Sequence, residues 1–162
     1  MKLSKRLQAI ADFIEPGASV ADIGTDHGYL PVYLALTGST RRIIASDISA
    51  SSLAAARRSA DNADVTEVIT FIVAPGLDGV APTDVDTIVI SGVGGETILS
   101  ILKDAPWTKT REVRLILQPQ SKIDLLLSFL YDNGYKIKET KAVLDRGKGY
   151  TILLVISGES EL

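Results

Sequence analysis

The sequence predicts an α/β protein with a doubly wound, mostly parallel sheet covered by helices on both faces. First, short apolar runs of strand length alternate with segments of helical periodicity along the chain. Second, runs such as Ile88-Val89-Ile90 and Leu115-Ile116-Leu117 are apolar at every position, as expected of parallel strands buried on both faces. Third, the last two strand patterns are joined by a short link containing glycine, which predicts a terminal antiparallel hairpin.

The individual elements are predicted from local periodicity and from residues that end it. Apolar residues between Leu3 and Ile14 recur at helical spacing, and Glu15-Pro16-Gly17 stops the pattern, so the first helix is predicted at 4–14. The predicted order continues with strand 18–23, helix 28–37, strand 42–46, helix 50–62, strands 68–73 and 85–91, helix 95–103, strand 113–117, helix 121–133 and strands 135–144 and 149–156. We expect residues 157–162 to form a frayed tail.

Length and composition are those of one globular domain, predicted to span residues 1–162. Hydrophobic residues make up 46% of the chain and charged residues 23%, and no apolar stretch is long enough to span a bilayer. The basic N-terminus continues into an amphipathic stretch and not into the apolar region of a signal peptide. We therefore expect a cytoplasmic protein without membrane contact.

The scarcity of cysteine and histidine excludes several kinds of chemistry. The chain has no cysteine and one histidine, which rules out disulfides, thiolate nucleophiles, cysteine-bound zinc and multi-histidine metal sites. No metal is expected to be required. The net charge of −3 gives no overall attraction to nucleic acid, so any such binding needs a local basic patch.

A candidate cofactor site follows the first predicted strand, in the segment Asp22-Ile23-Gly24-Thr25-Asp26-His27-Gly28. A strand, a glycine-bearing turn and a helix place backbone N–H groups beside a ligand, and Asp47 lies at the offset expected of an acid that binds a ribose. The turn lacks the Gly-x-Gly-x-x-Gly pattern of dinucleotide sites, and Asp26 would repel phosphates. The carboxylates suit the ammonium and sulfonium of S-adenosylmethionine. The alternative is that Asp22 and Asp26 only cap the next helix.

Four segments, spread over most of the chain, resemble the bacterial tRNA (adenine-22-N1)-methyltransferases. They are Asp22-Ile23-Gly24-Thr25-Asp26-His27-Gly28-Tyr29-Leu30-Pro31, Ala45-Ser46-Asp47-Ile48, Gly92-Val93-Gly94-Gly95 and Leu115-Ile116-Leu117-Gln118-Pro119. The resemblance implies a Rossmann-like class I methyltransferase fold, whose seventh strand inserts between the fifth and sixth. With the turn geometry, it implies that S-adenosylmethionine contacts Asp22, Gly24, Thr25, Gly28, Asp47, Ile48, Gly76 and Gly92.

The sequence departs from the family pattern at several positions. Val93 stands where the family typically has methionine, Pro75 precedes Gly76 where the family has an aspartate, and Gln120 replaces an asparagine. The family acid at the position of Pro75 looks suited to the adenine amino group of the cofactor, and Asp78 is too far along to replace it. Family members also usually carry a C-terminal helical coiled-coil region, which we do not find in this sequence.

The resemblance places methyl transfer to adenine N1 beside the turn and the glycine-rich loop. Asp26, His27 and Gln118 are the predicted catalytic residues, and Tyr29, Gly94 and Gly95 are predicted to contact the substrate base. Each residue also has a purely structural explanation. His27 would then be satisfied by a backbone carbonyl, Gln118 would be a strand-end amide, the glycines would form a tight turn, and Tyr29 would belong to the core or rim.

The predicted partner is tRNA, and the family resemblance implies that its acceptor adenine lies in the D-arm region. Lys2, Lys5 and Arg6 are predicted to share one helical face and to contact its phosphates. Two alternatives stay open. One is methylation of a small molecule, which the acidic composition fits, and the other is a cofactor-binding module without catalysis, which Pro75 and Val93 suggest.

Overall fold

The protein is described by a computed structural model that covers residues 1–157. Within these residues there are five α-helices and seven strands, which alternate except that β4 follows β3 and β7 follows β6 without an α-helix between them. The helices are α1 (Lys5–Ala11), α2 (Tyr29–Thr37), α3 (Ala50–Asn62), α4 (Gly95–Lys103) and α5 (Ile123–Asp132). The strands are β1 (Ser19–Ile23), β2 (Arg42–Asp47), β3 (Thr70–Val73), β4 (Thr87–Val93), β5 (Arg114–Pro119), β6 (Tyr135–Asp145) and β7 (Lys148–Ser157).

One seven-stranded sheet runs through these residues in the order β3-β2-β1-β4-β5-β7-β6. The first five strands pair in parallel, while β7 is antiparallel to both β5 and β6. This confirms the predicted doubly wound sheet with a terminal antiparallel hairpin. It also confirms that the seventh strand inserts between the fifth and sixth.

Alternating residues of the central strands fill two separate apolar layers, one on each face of the sheet. Ile88, Ile90 and Leu117 belong to the layer beneath α4 and α5, and Val89 and Ile116 belong to the layer beneath α1 and α2. These residues are at most 1% exposed. Burial on both faces is the reason that the strands read as continuous apolar runs.

Some predicted boundaries are wrong, and each difference has a local cause. Ser4 caps α1 by accepting a hydrogen bond from the Leu7 N–H group (3.2 Å), so Lys2 lies before the helix and does not share its face. Thr66–Val68 forms a short 3-10 helix, which delays the third strand to Thr70. A second one, Pro106–Lys109, was not predicted. Ser157 pairs with Tyr135 in the sheet, and the rest of the predicted tail, 158–162, lies outside the described residues.

The functional end of the sheet is the carboxyl edge of its parallel strands. In doubly wound folds, ligands bind where neighbouring connections leave in opposite directions, and here β1 and β4 form that switch point. None of the helices within residues 1–157 combines the length and apolar character needed to cross a bilayer.

Candidate cofactor and substrate site

A cavity of about 1720 Å³ opens at the carboxyl edge of the sheet. Its walls come from the ends of β1, β2 and β4, the loop after β3, one side of α4, the N-terminal segment and the turn between β6 and β7. The structure therefore brings most of the predicted site residues to one place. Those that line the cavity are Lys2, Arg6, Asp22, Gly24, Thr25, Asp26, His27, Tyr29, Asp47, Ile48, Gly76 and Gly92.

Asp22 presents a buried carboxyl group at the end of β1. One of its oxygens, Oδ2, accepts a hydrogen bond from the Thr25 hydroxyl (2.9 Å), and the residue is 5% exposed. Burial raises the pKa of Asp22 to about 7, although the Thr25 hydrogen bond and the charge of Arg6 oppose that shift. A cationic ligand would stabilise the charged form of this carboxylate, because it replaces the hydration that burial removed.

Asp47 ends β2 with a carboxylate whose orientation is fixed by two backbone donors. Oδ2 accepts from the Asp26 N–H group (3.1 Å), and Oδ1 accepts from the Ser49 N–H group (2.9 Å). Each oxygen keeps a second lone pair, so the group can still accept from a vicinal diol. Ile48, directly after it, is 71% exposed and offers an apolar surface beside the diol position.

The backbone donors of the β1–α2 turn are largely occupied within the protein. The N–H groups of Gly24 and Thr25 both donate to the Ser46 carbonyl (2.8 and 3.0 Å), and the Gly28 N–H group donates to the Thr25 carbonyl (2.9 Å). The Asp26 N–H group is taken by Asp47. The turn therefore lacks the free amide cluster that holds a pyrophosphate in dinucleotide sites.

Gly28 precedes α2 and is not among the residues that line the cavity, so its contact with the cofactor stays a prediction. Its φ is +72°, and a Cβ at this position would lie 2.8 Å from the Cβ of Ala56 in α3. A glycine is needed here for the approach of α2 to α3, and that packing explains the residue.

Asp26, His27 and Tyr29 form an exposed group at the cavity mouth. The Asp26 and His27 side chains are 74% and 57% exposed, with Oδ2 and Nδ1 3.5 Å apart. The His27 and Tyr29 rings stack with their centroids 5.5 Å apart and their planes 15° from parallel. Both rings are therefore available to a flat ligand from solvent.

Gln118 is fully buried, and both ends of its amide are hydrogen-bonded within the protein. Its Oε1 accepts from Arg6 Nη1 (2.9 Å) and from the Gly92 N–H group (3.0 Å), and its Nε2 donates to the Pro119 carbonyl (3.0 Å). Gly92, at φ +74°, forms the bulge by which the β4–β5 pairing changes register. Gln118 thus lies behind the cavity wall and does not present an amide edge to a base.

Gly94 and Gly95 are also not among the residues that line the cavity, and their contact with the substrate stays a prediction. A Cβ on Gly95 would overlap the Lys122 carbonyl, and one on Gly94 would meet the Glu96 carboxylate. The Gly95 N–H group donates to the Ser121 carbonyl (2.7 Å). These glycines allow α4 to begin close against the β5–α5 loop.

The lysines and arginines at the cavity are not the set predicted to share one helical face. Lys5 does not line the cavity, and the Arg6 guanidinium points inward to Gln118. Arg146 and Lys148, in the β6–β7 turn, do line it and were missed, because only the fold brings residues so distant in sequence beside Lys2. We call Lys2, Arg6, Arg146 and Lys148 the basic wall.

Comparison with known proteins agrees with this geometry. Residues 3–153 match the methyltransferase-domain family. The chain is 34% identical over 161 residues to the tRNA (adenine(22)-N(1))-methyltransferase of Bacillus subtilis, which covers 99% of this chain and 68% of that protein.

Two solved structures extend the agreement to three dimensions. The Streptococcus pneumoniae protein Sp1610, in complex with S-adenosyl-L-methionine, matches with a TM-score of 0.91 and 36% identity, covering 99% of this chain and 76% of that one. The M1A22 tRNA methyltransferase TrmK of B. subtilis matches with a TM-score of 0.89 and 34% identity, covering 97% and 67%.

The sheet order and the carboxylates at the ends of β1 and β2 define a class I methyltransferase that depends on S-adenosylmethionine. Within that class, the chain belongs to the tRNA (adenine(22)-N(1))-methyltransferase family. Among the described residues, no group of three or more histidine or acidic side chains is arranged to hold a metal ion.

Proposed function

We propose that this protein methylates N1 of adenine 22 in tRNA, reached from the D-arm side, as a single domain acting in the cytoplasm. The observation that carries the proposal is the pair of carboxylates, Asp22 and Asp47, beside a turn whose amides are largely occupied. That combination suits a ligand with an ammonium and a ribose but without phosphates. The nucleotide is that of the B. subtilis tRNA (adenine(22)-N(1))-methyltransferase, to which the chain is similar.

The residues at the strand ends fit S-adenosylmethionine by their chemistry. Asp22 receives the methionine ammonium, because its Oδ1 is free of the Thr25 bond. Asp47 accepts from the ribose hydroxyls, and Ile48 packs on the adenine together with the loop at Gly76.

The reaction asks mainly for orientation. The bound cofactor supplies a methyl group on a sulfonium sulfur, to which the S–CH₃ bonding electrons return as the adenine N1 lone pair forms the N–CH₃ bond. Because N1 carries no proton to lose, the protein needs no general base, and the positive charge moves onto the base. Holding N1 in line with the methyl group, with water excluded, supplies most of the acceleration.

The group at the cavity mouth receives the base. Asp26 stabilises the charge that develops on the adenine, and the exposed His27 and Tyr29 rings stack against it. Gln118 is assigned a positioning role in place of the predicted catalytic one. Its Oε1 accepts hydrogen bonds from the Gly92 N–H group and from Arg6, and so orients the Gly92 bulge and the Arg6 side chain beside the cavity.

The size of the cavity favours a nucleotide of a larger substrate over a small free one. Pockets for small molecules usually occupy about 300–1000 Å³, whereas this one is about 1720 Å³ and opens to the surface. A base turned out of its stack would enter past Asp26, His27 and Tyr29, which line this cavity.

The test is to incubate the protein with tRNA and methyl-labelled S-adenosylmethionine and to identify the modified nucleoside by mass spectrometry. We expect 1-methyladenosine in a tRNA with adenine at position 22, and none when that adenine is replaced by guanine. Label in another nucleoside would overturn the position. Cofactor binding without any transfer would favour the non-catalytic alternative, and transfer only to small acceptors would favour the small-molecule one.

A further inference from the structure

The cavity is electrically divided. Within the described residues, the lysines and arginines that line it all belong to the basic wall, which is built from the N-terminal segment and the β6–β7 turn. The carboxylates Asp22, Asp26, Asp47, Asp78, Glu96 and Asp104 line the rest, and only Asp145 lies within the basic wall. An anion bound in the cavity would therefore be attracted to the basic wall, and a cation to the carboxylates.

The basic wall is a built unit and not a set of independent surface side chains. The Arg6 N–H group donates to Asp145 Oδ2 (3.2 Å), which joins α1 to the turn 139 residues later. The half-buried Tyr150 ring lies between two cations, with Arg6 Cζ 5.8 Å and Lys148 Nζ 5.7 Å from its centroid. Asp145 keeps its negative charge in that bond, but among the described residues no ion pair joins it to Arg146 or Lys148.

The turn itself is a tight two-residue hairpin turn. Arg146 and Gly147 have φ of +53° and +77°, the left-handed pair of a two-residue hairpin turn, and β6 and β7 pair up to Asp145 and Lys148. The Arg146 and Lys148 side chains are exposed at the cavity, while the Arg6 guanidinium is held by Gln118. The free positive charge of the wall is thus that of Lys2, Arg146 and Lys148.

We infer that the β6–β7 turn is a phosphate clamp for the substrate RNA, with Arg146 and Lys148 contacting backbone phosphates that flank the methylated adenosine. This inference rests on the proposed function, because it assumes that the anion bound at the basic wall is an RNA strand. The acidic walls would repel that strand, so the turn sets the side from which the base enters. Lys2 extends the same surface.

The test compares two charge-matched double variants. Arg146→Asn with Lys148→Gln removes the two cations, and an Asn-Gly pair is well suited to the same turn. Arg58→Gln with Lys103→Gln removes two exposed cations that lie outside the cavity. Binding of tRNA is measured over a range of salt concentrations, together with S-adenosylhomocysteine affinity and steady-state kinetics.

We expect the turn variant to lose tRNA affinity about tenfold and its log–log salt slope to fall by about 1.4–1.8, as expected for two phosphate contacts. KM for tRNA should rise while kcat at saturation and S-adenosylhomocysteine affinity stay unchanged, and the control should match the parent. Equal tRNA binding by the two variants would overturn the clamp while the proposed function stands. If the parent binds no tRNA, both proposals fall.

Discussion

The protonation state of Asp22 makes cofactor binding depend on pH. Burial raises its pKa to about 7, so near neutral pH the empty site holds a mixture of the neutral and charged forms. A bound ammonium favours the charged form. Cofactor binding below pH 7 therefore requires the loss of a proton, and the affinity depends on pH.

We predict that S-adenosylhomocysteine affinity rises about tenfold per pH unit from pH 5 to pH 7 and then levels off. Calorimetry across this range checks it. In Asp22→Asn, which can still accept from Thr25, the slope should vanish and the affinity at pH 7.5 should fall. A parent affinity independent of pH would show that Asp22 does not face the ammonium.

The same pKa makes a prediction about the empty protein. A carboxyl whose folded-state pKa is raised stabilises the fold below its usual value of 3.8, and that contribution is lost as pH rises through about 7. Asp22→Asn should therefore increase the free energy of unfolding at pH 8 but not at pH 4. Denaturant unfolding at the two pH values measures the difference.

Asp47 should contribute through its two fixed oxygens. Replacing Asp47 by alanine removes a charged partner of the ribose hydroxyls, and we predict a loss of about 1.5–3 kcal/mol in binding of S-adenosylhomocysteine. Calorimetry measures it, and Asp84→Ala, which removes a half-buried carboxylate paired with Arg42, is the control. Equal affinities for the two variants would remove Asp47 from the cofactor site.

A substitution at Asp26 tests whether this residue acts in cofactor binding or in turnover. Its backbone N–H group orients Asp47, whereas its carboxylate is exposed at the mouth. Because asparagine tolerates the left-handed φ of +55° at this position, Asp26→Asn keeps the turn and changes only the charge. We predict a clear fall in kcat with unchanged cofactor affinity. The reverse pattern would make Asp26 a cofactor ligand.

At the scale of elements, the packing of α2 on α3 depends on Gly28. A methyl group there would collide with Ala56 and strain a φ of +72°, so we predict that Gly28→Ala lowers stability by about 2–4 kcal/mol. Gly38→Ala is the matched control, with a φ of +67° and nothing within 4 Å of the added atom. It should cost about 1–2 kcal/mol, the penalty of a side chain in the left-handed region. Similar losses in thermal unfolding would exclude the collision.

The sheet was predictable from sequence because its central strands are apolar throughout and its turns carry glycine. The site was predictable where residues close in sequence end one strand, as Asp22 and Thr25 do. Gln118 and Arg6 could not be assigned, since which polar group satisfies another across 112 residues is decided by packing and not by local pattern. The same holds for Arg146, which only the hairpin carries to the cavity.

At the scale of the whole molecule, the net charge of −3 does not attract tRNA, so binding depends on a local group of basic side chains. Lys2 lines the cavity and Lys5 does not, although they are neighbours in sequence. We predict that Lys2→Gln weakens tRNA binding and lowers its salt slope by about 0.7–0.9, whereas Lys5→Gln changes both less. Equal effects would mean that the N-terminal segment acts by general charge alone.

The insertion of β7 between β5 and β6 also has a consequence for synthesis on the ribosome. The strand that covers the edge of β5 is the last of the seven to be translated, so the nascent sheet keeps an open, apolar edge until residues 148–157 have left the exit tunnel. During that interval β5 can pair with a strand of another chain. Slow decoding of the codons for these residues would therefore lower the yield of folded protein without altering a single residue.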